Sequence, residues 1–164
     1  MSRLKDDESG IWLKVPKDTF YLGLVRTFVS DLARRFSFAP KQVAMIEMAV
    51  DEACTNVIRH GNRREATVDE QSDTMSLRVD VTPGRISITL IDGGREFPFE
   101  DYRKEDLDKA LEHMQVGGLG IYIIKQFMDE VIYFHEAGVG NVLTMVKYMV
   151  APQAPEPDID PMEP

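Results

Sequence analysis

The sequence predicts an α+β domain built as a two-layer sandwich. Two strand pairs are each joined by a short turn, three helical segments are gathered apart from them, and the order reads β-α-α-β-β-(lid)-α-β-β. Hairpin-joined strands with segregated helices fit one antiparallel sheet covered on one face. Ile11 to Val15 alternates weakly and opens the fold as a strand. FYLGLVRTFVSDLARRF places apolar residues at 24, 25, 28, 29, 32 and 36, which is helical spacing. Ser37, Phe38, Ala39 and Pro40 interrupt it, and Pro40 suits the first position of a second helix. That helix runs from about 41 to 60, with Gly61-Asn62 as its stop. MSLRVDVT (75–82) and RISITLI (85–91) read as strands joined at Pro83-Gly84. A polar stretch over 95–116 follows, with a short helix expected at 104–113. A connection this long inside a small domain is characteristically functional. GGLGIYIIKQFMDEV reads as glycines opening a helix, and 130–137 and 141–149 as strands joined through Gly138-Val139-Gly140-Asn141.

Composition narrows the function. The 164 residues are 43% hydrophobic and 29% charged, as expected of one soluble globular domain. Nineteen basic against 28 acidic residues give a net charge of −9, which argues against nucleic-acid binding by broad charge attraction. A single cysteine forms no internal disulfide, so a reducing, cytoplasmic setting is expected. The first ten residues, MSRLKDDESG, hold no apolar run that would mark a signal peptide. No stretch approaches the roughly 18 apolar residues of a membrane span. Residues 151–164, APQAPEPDIDPMEP, carry five of the nine prolines and four acids. Such a segment buries too little to offset its ordering entropy and is expected to be a disordered tail. Without those four acids the net charge moves from −9 to −5. The expected organisation is a flexible segment 1–9, a domain over 10–150 and the tail.

Three stretches carry chemistry. In EMAVDEACTNVIRHGN, Val43, Ile46, Val50, Ala53 and Val57 fall on one helical stripe, and Glu52, Asn56 and Arg59 on another. Glu52 and Asn56, four apart, meet on one face. A carboxylate there can act as a general base, and an amide oxygen can ligate a hard cation such as Mg²⁺. For Glu-x-x-x-Asn alone, a solvated polar face on an amphipathic helix is the plainer reading. Asp92 ends a strand before Gly93-Gly94. It can accept from an exocyclic amine such as that of adenine, and Gly94 lets a ligand approach the backbone. A turn that caps the strand is the plainer reading. Gly117-Gly118-Leu119-Gly120 precedes an apolar helix, where freed backbone N–H groups suit phosphate. A flexible loop before the helix is the alternative. Neither G-x-x-x-x-G-K-[ST] nor G-x-G-x-x-G occurs, so P-loop and Rossmann readings fail. The three histidines are scattered, and Cys54, on the core helix, reads as an inert buried thiol. Gly138 and Gly140 read as hairpin turn residues, and the nine methionines as core filler.

In order, E-x-x-x-N, D-x-G-x-x-F, a polar lid and G-G-L-G-I resemble the N, G1 and G2 boxes of the GHKL ATPase superfamily. Within it the chain is similar to the anti-sigma-factor serine kinases of bacterial partner switching, the RsbW and SpoIIAB type. DEACTNVIRHGN, IDGGREFPF, GGLGIYIIKQFMDEVIY and GNVLTMVKYM carry the likeness over about residues 10–150. The resemblance implies the Bergerat fold with a mixed, largely antiparallel sheet, and an ATP-dependent protein-serine kinase that phosphorylates a small anti-sigma-factor antagonist and binds a sigma factor. It implies Glu52 as the base for the substrate serine and Asn56 as the Mg²⁺ ligand. Asp92 would bind the adenine amine, with Gly94 beneath the base. Gly118, Leu119 and Gly120 would line the phosphates, and Arg26 would bind the partner. It further suggests a homodimer. Some relatives carry an arginine just before the G2 box, where this chain reads His113-Met114-Gln115-Val116. Arg103, Lys104, Lys109 or His113 could substitute for it from the lid. A nucleotide-loaded sequestering module with little or no phosphotransfer is the alternative function.

Overall fold

The computed structural model describes residues 10–61, 73–94, 96, 99 and 119–149. The expected flexible segment 1–9, most of the lid with its helix at 104–113, Gly117, Gly118 and the tail 151–164 lie outside the described residues.

Strand β1 is Ile11–Pro16, followed by a 3-10 turn over Thr19–Tyr21. The Asp18 side chain caps that turn by accepting from the Phe20 N–H at 2.8 Å. Helix α1 is Leu22–Arg35 and α2 is Pro40–Gly61, with Pro40 at the start as expected. Strands β2 (Thr74–Thr82) and β3 (Arg85–Asp92) form the first hairpin, turning at Gly84 with φ of 81°. Helix α3 is Leu119–Phe127, and β4 (Glu130–Glu136) and β5 (Gly140–Tyr148) form the second hairpin.

The sheet order is β1-β2-β3-β5-β4, and every described pairing is antiparallel, so the sheet expected to be mixed is antiparallel throughout its described extent. Alternation decides which residues face the helices. Met75, Leu77 and Val79 of β2, Ile86, Ile88 and Leu90 of β3, and Leu143 and Met145 of β5 enter the core. The helices answer with Val25, Val29 and Ala33 of α1, Ile46, Ala49, Val50 and Ala53 of α2, and Ile121 and Ile124 of α3. Helix α2 contacts both α1 and α3 and is the middle of the helix layer. Val43, Ile46, Val50 and Ala53 are buried as the stripe predicts, with Val57 packed at the core's margin. Cys54 is also buried, and burial followed by the nearby charge of Asp51 pushes its thiol up to about 12. Among the described residues no helix is long and apolar enough to cross a membrane.

Candidate functional site

Two clusters of the expected residues form. The first joins α2 to the start of α3. A Cβ placed on Gly120 would lie 2.6 Å from Glu52 Oε2, 3.3 Å from Asn56 Nδ2 and 3.5 Å from Asn56 Oδ1. Glu52 and Asn56 are one helical turn apart, and both side-chain ends rest against a backbone that only glycine leaves open. Leu119, half exposed, begins α3 directly before this contact. Gly118 lies outside the described residues.

The second cluster surrounds Asp92. In β3 the inward residues are Ile86, Ile88 and Leu90, and Asp92 continues their phase, so its carboxylate occupies a core-facing position. It is 5% exposed. Oδ1 accepts from the Gly94 N–H at 2.7 Å and from Lys17 Nζ at 3.0 Å. Oδ2 accepts from Asn141 Nδ2 at 3.1 Å. Asn141 Oδ1 in turn accepts from the Tyr133 hydroxyl at 2.7 Å and stands 3.0 Å from His135 Nδ1. Register explains the row: Val15 pairs Met75, Met75 pairs Asp92, Asp92 pairs Asn141, and Asn141 pairs His135. Lys17, two residues beyond Val15, continues that strand's inward phase. Gly140, with φ of 104°, lets β5 start hard against the end of β3; a Cβ there would overlap the Asp92 carbonyl oxygen and lie 2.8 Å from Gly93 Cα.

The structure adds two partners that the sequence reading of this cluster did not join to Asp92. Asn141, read as the start of the last strand and as part of the connection before it, is the first inward residue of β5 and bonds Asp92. Lys17, unremarked in the sequence, pairs with Asp92 in the interior. Their phase with Val15 and Leu143 was the available signal, but only strand register joins them to Asp92. Arg26 lies on α1, where its guanidinium donates at 2.8 Å to Oδ1 of Asp51, the residue that precedes Glu52.

The donor set is compatible with a Mg-nucleotide: Asp92 could accept from a base amine, Asn56 Oδ1 could offer a hard oxygen to Mg²⁺, and the bare Gly120 backbone could leave space for phosphate. Among the described residues no group of three or more His, Cys, Asp and Glu side chains is placed to hold a metal ion.

Residues 15–147 match the family of histidine kinase-like ATPase domains. The chain is 29% identical over 151 residues to Serine-protein kinase RsbW of Bacillus subtilis, covering 89% of both chains. It is 32% identical over 144 residues to the protein of the same name in Bacillus velezensis, covering 85% of both. Among solved structures it resembles the RsbU and RsbW domains of a Mycobacterium tuberculosis protein, with a TM-score of 0.59 and 16% identity. That match covers 87% of this chain and 33% of the other. It also resembles a chain of the SiaB-SiaC complex from Pseudomonas aeruginosa, with a TM-score of 0.64, 11% identity and coverage of 83% and 88%. These two structural likenesses show the fold.

Proposed function

The chain belongs to the histidine kinase-like ATPase family, and from that membership we propose that it is an ATP-dependent protein-serine kinase and anti-sigma factor of a bacterial partner-switching system. Its substrate is a serine on a small anti-sigma-factor antagonist. The observation that carries this reading is the convergence of Glu52 and Asn56 on the backbone of Gly120, which sets a candidate base beside a candidate phosphate cradle.

Each residue has one task. Asp92 accepts the adenine amine, with Gly94 leaving the base close to the backbone. Asn56 would hold Mg²⁺, which when bound would supply positive charge to neutralise the phosphates. Backbone N–H groups at Leu119 and Gly120 would bind the phosphate oxygens, a role the family likeness extends to Gly118. Glu52 takes the proton of the serine hydroxyl as its oxygen bonds to the γ-phosphorus and the bond to the ADP oxygen breaks. Arg26, exposed on α1 and steadied by Asp51, meets the partner protein. A sigma factor as second client, a homodimer and a cytoplasmic location belong to the same proposal, as does a tail over 151–164 outside the domain.

The test is incubation with γ-labelled ATP, Mg²⁺ and a candidate antagonist. Phosphoserine on the antagonist is expected. The sequence at 113–116 lacks the arginine some relatives carry, which favours a second reading, a sequestering module. Tight binding of ATP and partner with no transferred label would establish that module instead.

A further inference from the structure

A lysine side chain only 1% exposed stands against Asp92, the carboxylate that the proposed function assigns to the nucleotide base. Lys17 leaves the end of β1 with its backbone N–H bonded to the Asp73 carbonyl at 2.9 Å, and its ammonium reaches Asp92 Oδ1 at 3.0 Å. An ionised carboxylate has about four acceptor positions, two on each oxygen. Lys17 and the Gly94 N–H take both on Oδ1, and Asn141 takes one on Oδ2. Among the described residues one position stays open, and it is on Oδ2.

We propose that Lys17 is a specificity-determining residue of the base site: it locks Asp92 so that a single acceptor position faces the ligand, and so selects a base with an exocyclic amine. This rests on the reading of Asp92 as the base acceptor. A carboxyl group turns freely about its last torsion, which is broad and roughly two-fold. The Gly94 N–H and the Asn141 amide place one neutral bond on each oxygen, and the ammonium adds a charge-assisted bond that fixes the carboxylate plane and with it the direction of the open Oδ2 position. Adenine donates its 6-amino N–H to the open position. A 6-keto base brings an oxygen to the same place, and two acceptors face each other without a proton. Lys17 acts through Asp92 and has no part in phosphoryl transfer.

The experiment measures equilibrium binding of Mg-ATP and Mg-ITP, which differ at the purine 6-position, to the full chain. Wild type should prefer ATP by about 10–100-fold, the value of one hydrogen bond to a charged acceptor. Lys17→Met, assayed below its melting temperature, should narrow that preference at least tenfold, chiefly by weakening ATP. An equal loss for both nucleotides, with the preference intact, would mean that Lys17 only supports the fold and would overturn the inference. If wild type binds ATP and ITP alike, the assignment of Asp92 to the base fails first. Should Lys17→Met not fold, a crystal structure of wild type with a non-hydrolysable ATP analogue decides. The base amine on Oδ2 with Lys17 still on Oδ1 upholds the role, and a displaced Lys17 with the amine on Oδ1 refutes it.

Discussion

Glycine at position 120 separates geometry from stability. The atom its missing Cβ would meet is the free end of the Glu52 side chain, 2.6 Å away, so the side chain can move while the fold stays. Alanine is the better helix former by about 0.5–1 kcal/mol. Gly120→Ala should therefore keep or raise the melting temperature while phosphotransfer falls by about 100-fold, the cost of a reacting group misplaced by roughly 1 Å. Calorimetry and a transfer assay on the same sample check both. Asp92→Asn removes the charged acceptor and swaps one oxygen for a donor. ATP affinity should drop roughly 10–100-fold, read by titration calorimetry. An unchanged affinity would take the base away from Asp92. Cys54 offers a third check. Burial holds its thiol protonated, so alkylation at pH 8 should proceed only through opening of the domain. The linked stability is whole below about pH 8.5, the unfolded thiol's value, and erodes as pH rises toward the folded value of about 12.

At the scale of the elements, the second hairpin carries the sharpest prediction. Gly138 and Gly140 both have positive φ, at 83° and 104°. A Cβ at Gly138 meets nothing within 4 Å, whereas one at Gly140 runs into the end of β3. Gly138→Ala should cost only backbone strain, about 1 kcal/mol. Gly140→Ala adds the clash and should cost at least about 3 kcal/mol, a clearly larger fall in melting temperature. Thermal melts of the two variants check the order. The elements themselves were legible because their signals are local. The alternation in RISITLID, the stripe from Val43 to Ala53 and the prolines at 40 and 83 each act within a few residues. Glu52 and Asn56 were legible for the same reason, being one helical turn apart. Lys17 and Asn141 were not, because their meeting with Asp92 depends on the register of strands far apart in sequence: |i−j| is 75 for one pair and 49 for the other. The sheet implied by family likeness, mixed but largely antiparallel, is antiparallel in every described pairing.

For the whole molecule, the sheet brings Asp92 to one end of β3, and α2 and α3 bring Glu52 and Asn56 against Gly120, where the proposed function needs an adenine acceptor, a general base and a phosphate cradle. The central claim is that Glu52 accepts the serine proton and does nothing for nucleotide binding. Glu52→Gln preserves shape and hydrogen bonding but removes proton acceptance, and a positioned base is worth about 10²–10⁴-fold in rate. Asn56→Ala serves as the contrast, since loss of a metal ligand should lower Mg-ATP affinity and transfer together. The decisive measurement is the single-turnover rate of phosphate transfer to the antagonist, wild type against Glu52→Gln, with ATP and antagonist affinities determined alongside. A rate loss of about 10²–10⁴-fold at unchanged affinities is the result expected. Transfer by Glu52→Gln at the wild-type rate would contradict it.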